Sequence, residues 1–514
     1  MLSKVFSSGV IGIEGFEVTV ECSAWDRVPA FELVGLPDAA VKESKNRVRA
    51  ACENSGLVFP PLDIMINLAP ADVKKEGSML DLAILASILQ CDGIIPHEYD
   101  FSDKCLIGEL SLSGELRSVM GILPMIVSAR DLGRREVFVP VDNAKEAAIV
   151  AGVTVYPVAT LKQFVEHCKG TELIEPQPSE LANIDLSLHT GAPDFSEVYG
   201  QEKAKRALEV AAAGGHNILM IGPPGTGKSM LAKRLSSILP DMDFEEALET
   251  TKIHSVGGNL REGLMTDRPF RSPHHSVSLA GLVGGGANPR PGEISMAHNG
   301  VLFLDELPEF PKNITEALRQ PLEDGSVTVI RVLQKVRYPA SFMLVCAMNP
   351  CKCGYYGSET RRCTCTPESI QKYLSKISGP LLDRIDIEIE LPSVSYDEIS
   401  RRGRQGEPSE VIRKRVNAAR QFANERLAAA GDKPGILNAK MPPELMRRHC
   451  QLTDEASAMM RMAFEKLGFS ARAHDRVLRV ARTIADLVGS PDIKLDHLAE
   501  AIMYRSLERK YWKG

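Results

Sequence analysis

The sequence predicts an α/β protein in three parts: a mixed α/β segment, a phosphate-loop segment around a parallel sheet, and a helical C-terminal segment. In the first part, β-branched runs such as "FEVTVECSA" and "REVFVPV" alternate with helical stretches such as "MLDLAILASILQ". In the second, a short apolar strand leads into a glycine-rich loop and a helix. In the third, stretches that begin at serine or threonine and end at glycine predict capped helices, the first of them capped by Ser409.

We place the predicted boundaries at residues 1–170, 171–195, 196–394 and 395–514, and the second of these ranges is a linker with three prolines. No apolar run approaches the roughly 20 residues that a membrane span needs, so we expect a cytoplasmic protein without a membrane partner. The eleven cysteines are then expected to be thiols or metal ligands. Residues 395–514 carry 23 Lys and Arg against 16 Asp and Glu, although the whole chain has a net charge of -6. This local excess fits either a polyanionic partner or a solvated helical surface.

The stretch "NILMIGPPGTGKSML" matches the G-x-x-x-x-G-K-[ST] phosphate loop between a strand and a helix. Its backbone N–H groups are expected to converge on phosphate oxygens at the positive end of a helix. Lys228 is expected to reach the β- and γ-phosphates, and the Ser229 hydroxyl to ligate Mg²⁺. The residues predicted to bind ATP are Gly222, Pro223, Pro224, Gly225, Thr226, Gly227, Lys228 and Ser229.

A second motif, "GVLFLDELPEF", supplies two carboxylates at the end of a predicted buried strand, Val301 to Leu304. Asp305 is expected to hold Mg²⁺ through water. Glu306 is expected to orient and deprotonate the attacking water, which a hydrolase needs beyond nucleotide binding. A third predicted buried strand, in "FMLVCAMNP", ends at Asn349, and "SGPLLDRIDIEIELP" places Arg384 between two aspartates.

With "PFRSPHHSVSLAGLVGGGANPRPGEISMAHNG", "FELVGLPDAAVKESKNRVRAACENSG" and "INLAPADVKKEGSMLDLAI", these motifs resemble the ComM/YifB family over nearly the whole chain. That family is a magnesium-chelatase-like branch of the AAA+ ATPases, with a parallel-sheet core and a helical lid. The resemblance implies an ATP-driven homohexameric ring. It further implies action on branched, single- or double-stranded DNA, as a branch-migration helicase in natural transformation or recombination.

The resemblance also implies roles for three further residues. Asn349 would position the water near the γ-phosphate. Arg384 would be the arginine finger offered to a neighbouring subunit, the alternative being a local ion network of Asp383, Arg384 and Asp386. Arg472, in "GFSARAHDRVL", would be a second sensor arginine on the lid, the alternative being a plain surface arginine.

Two insertions interrupt the predicted core. Lys228 and Asp305 lie 77 positions apart, and the extra glycine-rich material is expected to be a mobile loop outside the core. It carries His274 and His275, for which a structural role is favoured over metal binding. The stretch "GSVTVIRVLQKVRYPASF" predicts a β-hairpin with Arg331 and Lys335 near its tip. Related replicative helicases grip DNA with such a hairpin, and an ordinary surface hairpin is the alternative.

The N-terminal segment resembles the proteolytic domain of Lon, notably in "LIGELSLSGELRSVMGILP". The sequence has the apolar residues Ile122 to Pro124 where that protease carries its catalytic lysine. Ser78 lies near the nucleophile position without a base to take its proton. We therefore expect a noncatalytic scaffold or nucleic-acid platform.

Four cysteines, Cys351, Cys353, Cys363 and Cys365, form two Cys-x-Cys pairs between Asn349 and Arg384. Four thiolates suit tetrahedral Zn²⁺, although free thiols, a redox pair or an iron–sulfur cluster stay open. The ion would rigidify a long excursion from the regular fold. It would also present the adjacent tyrosines and arginines, Tyr355, Tyr356, Arg361 and Arg362, to DNA or a neighbouring subunit.

These motifs lead us to expect a hexameric DNA motor that uses ATP, Mg²⁺ and Zn²⁺. Three alternatives are weighed against it: a chelatase-like motor that remodels a protein partner, an ATP-dependent protease, and a non-enzymatic DNA-binding module. A non-enzymatic DNA-binding module would not explain why Asp305, Glu306 and Arg384 accompany the phosphate loop.

Overall fold

The computed structural model of the chain describes residues 2–179, 193–258, 260, 263–286, 289–330, 335–358, 361–392, 406–467 and 469–512. The chain divides into two compact units. The first comprises residues 1–185 and 247–265, and the second comprises residues 186–246 and 266–514.

The first unit contains a four-stranded sheet of order β1-β2-β4-β3, a parallel three-stranded sheet of order β5-β8-β9, and the short hairpin β6-β7. Its strands are β1 (Leu2–Ile11), β2 (Glu14–Trp25), β3 (Ala30–Val34), β4 (Asp63–Ala69), β5 (Lys104–Leu106), β6 (Glu109–Leu110), β7 (Leu116–Arg117), β8 (Glu136–Pro140) and β9 (Thr154–Val158).

Five helices cover these sheets: α1 (Ala39–Asn54), α2 (Asp81–Cys91), α3 (Ile122–Asp131), α4 (Val141–Ala147) and α5 (Leu161–Cys168). Helix α2 is buried on every side, as its almost wholly apolar sequence requires. Helix α1 begins after Asp38, whose carboxylate accepts a hydrogen bond from the Val41 N–H.

The second unit is built on a five-stranded sheet of order β11-β14-β17-β10-β18, in which every neighbouring pair is parallel. The strands of this unit are β10 (Ile218–Ile221), β11 (Phe270–Arg271), β12 (Gly284–Gly285), β13 (Arg290–Pro291), β14 (Val301–Leu304), β15 (Ser326–Ile330), β16 (Lys335–Pro339), β17 (Met343–Met348) and β18 (Ile387–Glu390). Strands β10, β14 and β17 are buried throughout, which explains why each is a continuous apolar run in the sequence. The predicted α/β class with a parallel sheet is confirmed.

The remaining helices follow, and all but α8 (Phe244–Val256) lie wholly in the second unit. They are α6 (Glu202–Gly214), α7 (Lys228–Arg234), α8 (Phe244–Val256), α9 (Leu279–Val283), α10 (Glu293–Met296), α11 (Lys312–Ala317), α12 (Arg319–Asp324), α13 (Pro367–Leu374), α14 (Gly379–Leu382), α15 (Ser409–Ala429), α16 (Pro443–His449), α17 (Asp454–Leu467), α18 (Ala471–Leu487), α19 (Leu495–Met503) and α20 (Leu507–Tyr511). One of the sequence boundaries between the two units falls within α8, near its N-terminus.

The first insertion differs from its prediction. Within it, Phe270–Arg271 forms β11, which pairs in parallel with Val301 and Leu302 at the edge of the main sheet. The expectation of a mobile loop outside the core is therefore wrong for this part of the insertion. A two-residue edge strand carries no period that sequence patterning can detect.

Ser409 also behaves differently from the predicted cap. Helix α15 begins at Ser409 itself, and the residue before it makes no side-chain capping bond. The Ser409 hydroxyl instead accepts a hydrogen bond from the Phe195 N–H at 2.8 Å and shares another with Ser237 at 2.7 Å. Ser470 does cap α18, because its side chain accepts from the Ala473 N–H.

Among the residues that the structure describes, no helix is both long enough and apolar enough to cross a bilayer.

Candidate functional site

The phosphate loop joins β10 to α7 in the second unit. Gly222 opens the loop so close to β18 that a side chain would not fit, since a β-carbon there would lie 2.7 Å from the Leu391 carbonyl oxygen. The Thr226 hydroxyl closes the turn with a 3.0 Å hydrogen bond to the Pro223 carbonyl oxygen. The loop therefore presents its backbone at the N-terminus of α7, where an anion is favoured.

The Lys228 ammonium group is buried beside this loop. It donates to the carbonyl oxygens of Gly222 at 2.6 Å and Pro223 at 2.9 Å, and to Asn349 Oδ1 at 3.2 Å. Burial lowers the pKa of Lys228 to about 8, against the opposing influence of the Asp305 and Glu306 carboxylates. A phosphate oxygen would therefore be a strong partner for this incompletely solvated cation.

The two carboxylates of the second motif follow β14. Ser229 Oγ donates to Asp305 Oδ2 at 2.6 Å, which brings together the two side chains predicted to hold Mg²⁺. Glu306 is exposed, and its backbone lies in the left-handed region with φ 53°. A non-glycine residue in this conformation is strained, and such strain concentrates at functional sites. The turn directs Glu306 away from the buried strand that precedes it.

Asn349 directly follows β17. Because β14, β17 and β10 are adjacent parallel strands, their carboxyl ends place Asp305, Asn349 and the phosphate loop along one edge of the sheet. Ligands of open parallel sheets bind at this edge. The structure thus brings together Lys228, Ser229, Asp305 and Asn349, each within hydrogen-bond distance of another of the four, and we name these four residues the Lys228 group.

Arg384 lies between α14 and β18, apart from that group. Its guanidinium donates to the Pro380 carbonyl oxygen at 2.6 Å and to the Glu323 carboxylate. The flanking aspartates, Asp383 and Asp386, have other cationic neighbours. The structure therefore favours a pairing with Glu323 over the local ion network that the sequence left open.

Arg472, at the start of α18, is exposed over 74% of its side chain and lies 3.6 Å from Asp383. Arg384 and Arg472 both line a cavity of about 410 Å³, which also includes Lys440 and Arg479. In the part of the chain that the structure describes, the lining of this cavity contains no phosphate-loop residue. The two predicted arginines are thus brought together, and both are separate from the Lys228 group.

The four cysteines converge. The sulfur of Cys351 lies 3.4 Å from that of Cys353 and 3.7 Å from that of Cys363, and the latter two are 3.5 Å apart. All four sulfurs, including Cys365, lie within 4.8 Å of one another, and no other such group of metal-ligating side chains occurs among the described residues. Tetrahedral Zn²⁺ with thiolate ligands needs sulfurs about 3.8 Å apart. The donor set and its geometry fit this ion.

The environment of Cys353 favours its thiolate form. Burial opposes ionisation, but hydrogen bonds from the backbone N–H groups of Thr364 and Tyr355 contribute to lowering its pKa to about 5.

The predicted hairpin is present as β15 and β16, whose last described pair is Ile330 with Lys335. Lys335 is exposed at this end of the ladder, next to the exposed Ile330. Arg331 lies outside the described residues. In the other insertion, the His274 and His275 rings are tilted by 35° to each other with centroids 4.0 Å apart, and His274 Nδ1 lies 2.8 Å from Ser276 Oγ.

In the first unit, the Ser78 hydroxyl donates to the carboxylate of Glu109. The predicted apolar residues Ile122 to Pro124 begin α3 and are buried. Lys75, although buried, donates to the Pro70 carbonyl oxygen. Burial lowers the pKa of Lys75.

Sequence reasoning missed a buried polar network under Arg384. His216 lies 3.3 Å from Asp386 and 2.8 Å from Thr483 of α18, and the Asn217 side chain donates to the Arg384 carbonyl oxygen at 2.8 Å. Burial opposes ionisation of Asp386, but the hydrogen bond from His216 and nearby arginines lower its pKa. Three distant segments supply these residues, so no local pattern reveals them.

Three family profiles match the chain. They are "Magnesium chelatase, subunit ChlI" over residues 194–399, "Subunit ChlI of Mg-chelatase" over residues 20–143, and "Magnesium chelatase, subunit ChlI C-terminal" over residues 406–505. Together they match parts of both units.

Similar proteins extend the match to the full length. The chain is 42% identical to the competence protein ComM of Haemophilus influenzae, over 99% of this chain and 98% of ComM. It is also 42% identical to the protein YifB of Escherichia coli, with the same coverage of 99% and 98%. The magnesium-chelatase 38 kDa subunit of Rhodobacter capsulatus is 29% identical over 30% of this chain and 50% of that subunit.

Proposed function

The chain belongs to the ComM/YifB family of magnesium-chelatase-like proteins, and we propose that it is an ATP-driven motor acting on branched DNA. The observation that carries the ATPase part is the convergence of Lys228, Ser229, Asp305 and Asn349 at one edge of the parallel sheet. Glu306 stands next to that group on a strained turn.

Each residue has a distinct task in ATP hydrolysis. Lys228 binds the β- and γ-phosphates, while Ser229 and Asp305 hold Mg²⁺, which neutralises charge on the phosphates when bound. Glu306 accepts a proton from the attacking water. The oxygen of that water bonds to the γ-phosphorus, and the bond between this phosphorus and the oxygen of the leaving ADP breaks. Asn349 contacts Lys228, so it lies where it can orient that water.

The motor is proposed to be a homohexameric ring in which Arg384 acts on the nucleotide of the adjacent subunit and Arg472 is a second sensor arginine on the lid. The cavity that Arg384 lines contains no phosphate-loop residue among its described lining, which supports action of Arg384 in trans. An arginine supplied in this way neutralises charge that develops in the transition state.

DNA is the proposed track. The hairpin β15-β16 precedes β17, the strand that ends next to Asn349, and the chain connects β16 to β17 through only three residues. A shift at the γ-phosphate can therefore reach Lys335 and Arg331, whose cations suit phosphate contacts without sequence preference. The similarity to a competence protein supports a role in natural transformation.

We expect a four-way DNA junction to raise ATP turnover of the purified chain more than linear duplex does. The double variant Arg331→Ala with Lys335→Ala should keep basal turnover, lose junction stimulation, and show a shallower salt dependence of DNA binding. Lys414→Ala with Arg448→Ala is the charge-matched control, because it removes two exposed cations that lie on helices α15 and α16 and not on the hairpin. Turnover that responds to no DNA would contradict the proposal and favour a motor that remodels a protein partner.

Zn²⁺ is the proposed ligand of Cys351, Cys353, Cys363 and Cys365, and it would cross-link the excursion between β17 and α13. Elemental analysis should find about one zinc per chain. Cys363→Ser with Cys365→Ser should lose the metal, whereas Cys450→Ala, which removes a thiol outside the cluster, should keep it. A metal-free wild type prepared without chelators would refute this assignment.

A further inference from the structure

The excursion between β17 and α13, whose described residues are 349–358 and 361–366, is here named the cysteine arm, and its residue Gly354 lies directly on the phosphate loop. Gly354 is the contact point: a β-carbon there would lie 2.6 Å from Cδ and 2.9 Å from Cγ of Pro224. Its backbone has φ 87°, which only glycine adopts without strain. The arm and the loop are therefore packed with no room for one methyl group.

The root of the arm reaches the same loop. Asn349, its first residue, accepts a hydrogen bond from Lys228 at 3.2 Å. Cys351 is fully buried two positions later, and its carbonyl oxygen accepts from the Gly354 N–H at 3.0 Å. The arm thus contacts the phosphate loop both through Lys228 and through Pro224.

The tip of the arm lines a second cavity of about 840 Å³ that opens beside the phosphate loop. Tyr356 and Gly357 form one wall, and Pro223 contributes another part of the lining. Tyr356 is held edge-on to Tyr511 of α20, with ring centroids 6.3 Å apart, and Tyr511 donates to Glu390 at 2.8 Å. A cavity of this size accommodates a bound small molecule.

The sulfur cluster ties the two ends of the arm together. Cys351 and Cys353 lie at the root, and Cys363 and Cys365 at the return to α13. The arm forms no helix or strand in its described residues, so regular backbone hydrogen bonding does not fix its shape there. An ion on these sulfurs would close the arm into a loop and remove most of its alternative conformations.

We propose that the cysteine arm is a metal-dependent brace on the phosphate loop, through which metal binding at the four thiolates strengthens nucleotide binding. The inference rests on the zinc assignment above and extends it to the nucleotide. With the ion bound, Gly354 stays seated on Pro224 and Asn349 stays next to Lys228. Without it, both contacts loosen and the loop loses its preorganised form.

The test measures the affinity of the full chain for N-methylanthraniloyl-ADP in the absence of DNA. Removing zinc with a chelator that leaves Mg²⁺ in solution should weaken binding at least about tenfold, and adding zinc back should restore it. Gly354→Ala should weaken binding similarly while retaining one zinc per chain, since it displaces the arm from Pro224. Gly435→Ala is the matched control, because Gly435 has φ 90° but a β-carbon there would have no atom within 4 Å.

Unchanged affinity after zinc removal would overturn the brace, as would equal affinity of Gly354→Ala and Gly435→Ala. Because the measurement uses no DNA, its outcome is independent of the motor proposal. If DNA did not raise ATP turnover but zinc removal still weakened nucleotide binding, the proposal that DNA is the track would be rejected and the brace proposal would be retained. Amide hydrogen exchange of the phosphate loop should increase with zinc loss, which provides a readout besides binding.

Discussion

Glu306→Gln is expected to bind ATP with nearly wild-type affinity and to hydrolyse it about 10²–10⁴-fold more slowly, which is the usual contribution of a general base. The amide keeps the shape of the carboxylate but accepts no proton from water. Among the described residues, the Glu306 side chain makes no hydrogen bond with the Lys228 group, whose members hold one another through Asn349 and Asp305. The ATP-binding arrangement should therefore survive the substitution.

Two comparisons isolate this role. Lys228→Ala should lose nucleotide affinity as well as turnover, because the ammonium group that faces the phosphates is removed. Glu309→Gln, three positions further on, removes a carboxylate that lies 3.2 Å from Lys376 on the surface and should leave turnover unchanged. If Glu306→Gln and Lys228→Ala lost binding equally, Glu306 would be a binding residue and not a base.

The parts of this site that the sequence predicted are those in which one short segment contains the whole pattern. The phosphate loop lies between a strand and a helix within a single stretch, and β14 places Asp305 and Glu306 at its own end. Continuous apolar runs identify buried parallel strands, and parallel strands bring their carboxyl ends to one edge. The proximity of Ser229 to Asp305 follows from that rule although the two are distant in sequence.

The parts that the sequence did not predict depend on pairs from distant segments. Nothing in "CGYYG" shows that Gly354 packs on Pro224, and nothing near Arg384 shows that its partner is Glu323. The edge strand β11 escaped detection because two residues carry no period, and its position is fixed by pairing with β14. The convergence of the four cysteines is the exception. It was predicted because four thiolates suit one tetrahedral Zn²⁺, which requires the four side chains to meet.

Arg384→Ala is expected to reduce ATP turnover by about 10³-fold or more, the contribution of an arginine finger, with little change in nucleotide affinity. Arg384 lies between α14 and β18, and in the described part of the chain neither it nor its partner Glu323 is hydrogen-bonded to the Lys228 group. This separation is consistent with the proposed action of Arg384 on a nucleotide held by another subunit. Arg448→Ala, which removes an exposed arginine paired with Asp432, should leave turnover unchanged.

Mixing two inactive variants tests the trans arrangement directly. In the proposed ring, a mixture of Arg384→Ala and Lys228→Ala subunits would contain interfaces where an intact phosphate loop meets an intact arginine, so turnover should exceed that of either variant alone. Arg384→Lys should turn over ATP little faster than Arg384→Ala, because an ammonium group lacks the planar pair of donors that the guanidinium offers. Arg384→Ala turning over ATP at the wild-type rate would remove the finger role. A mixture no more active than its components would show instead that Arg384 acts within its own subunit.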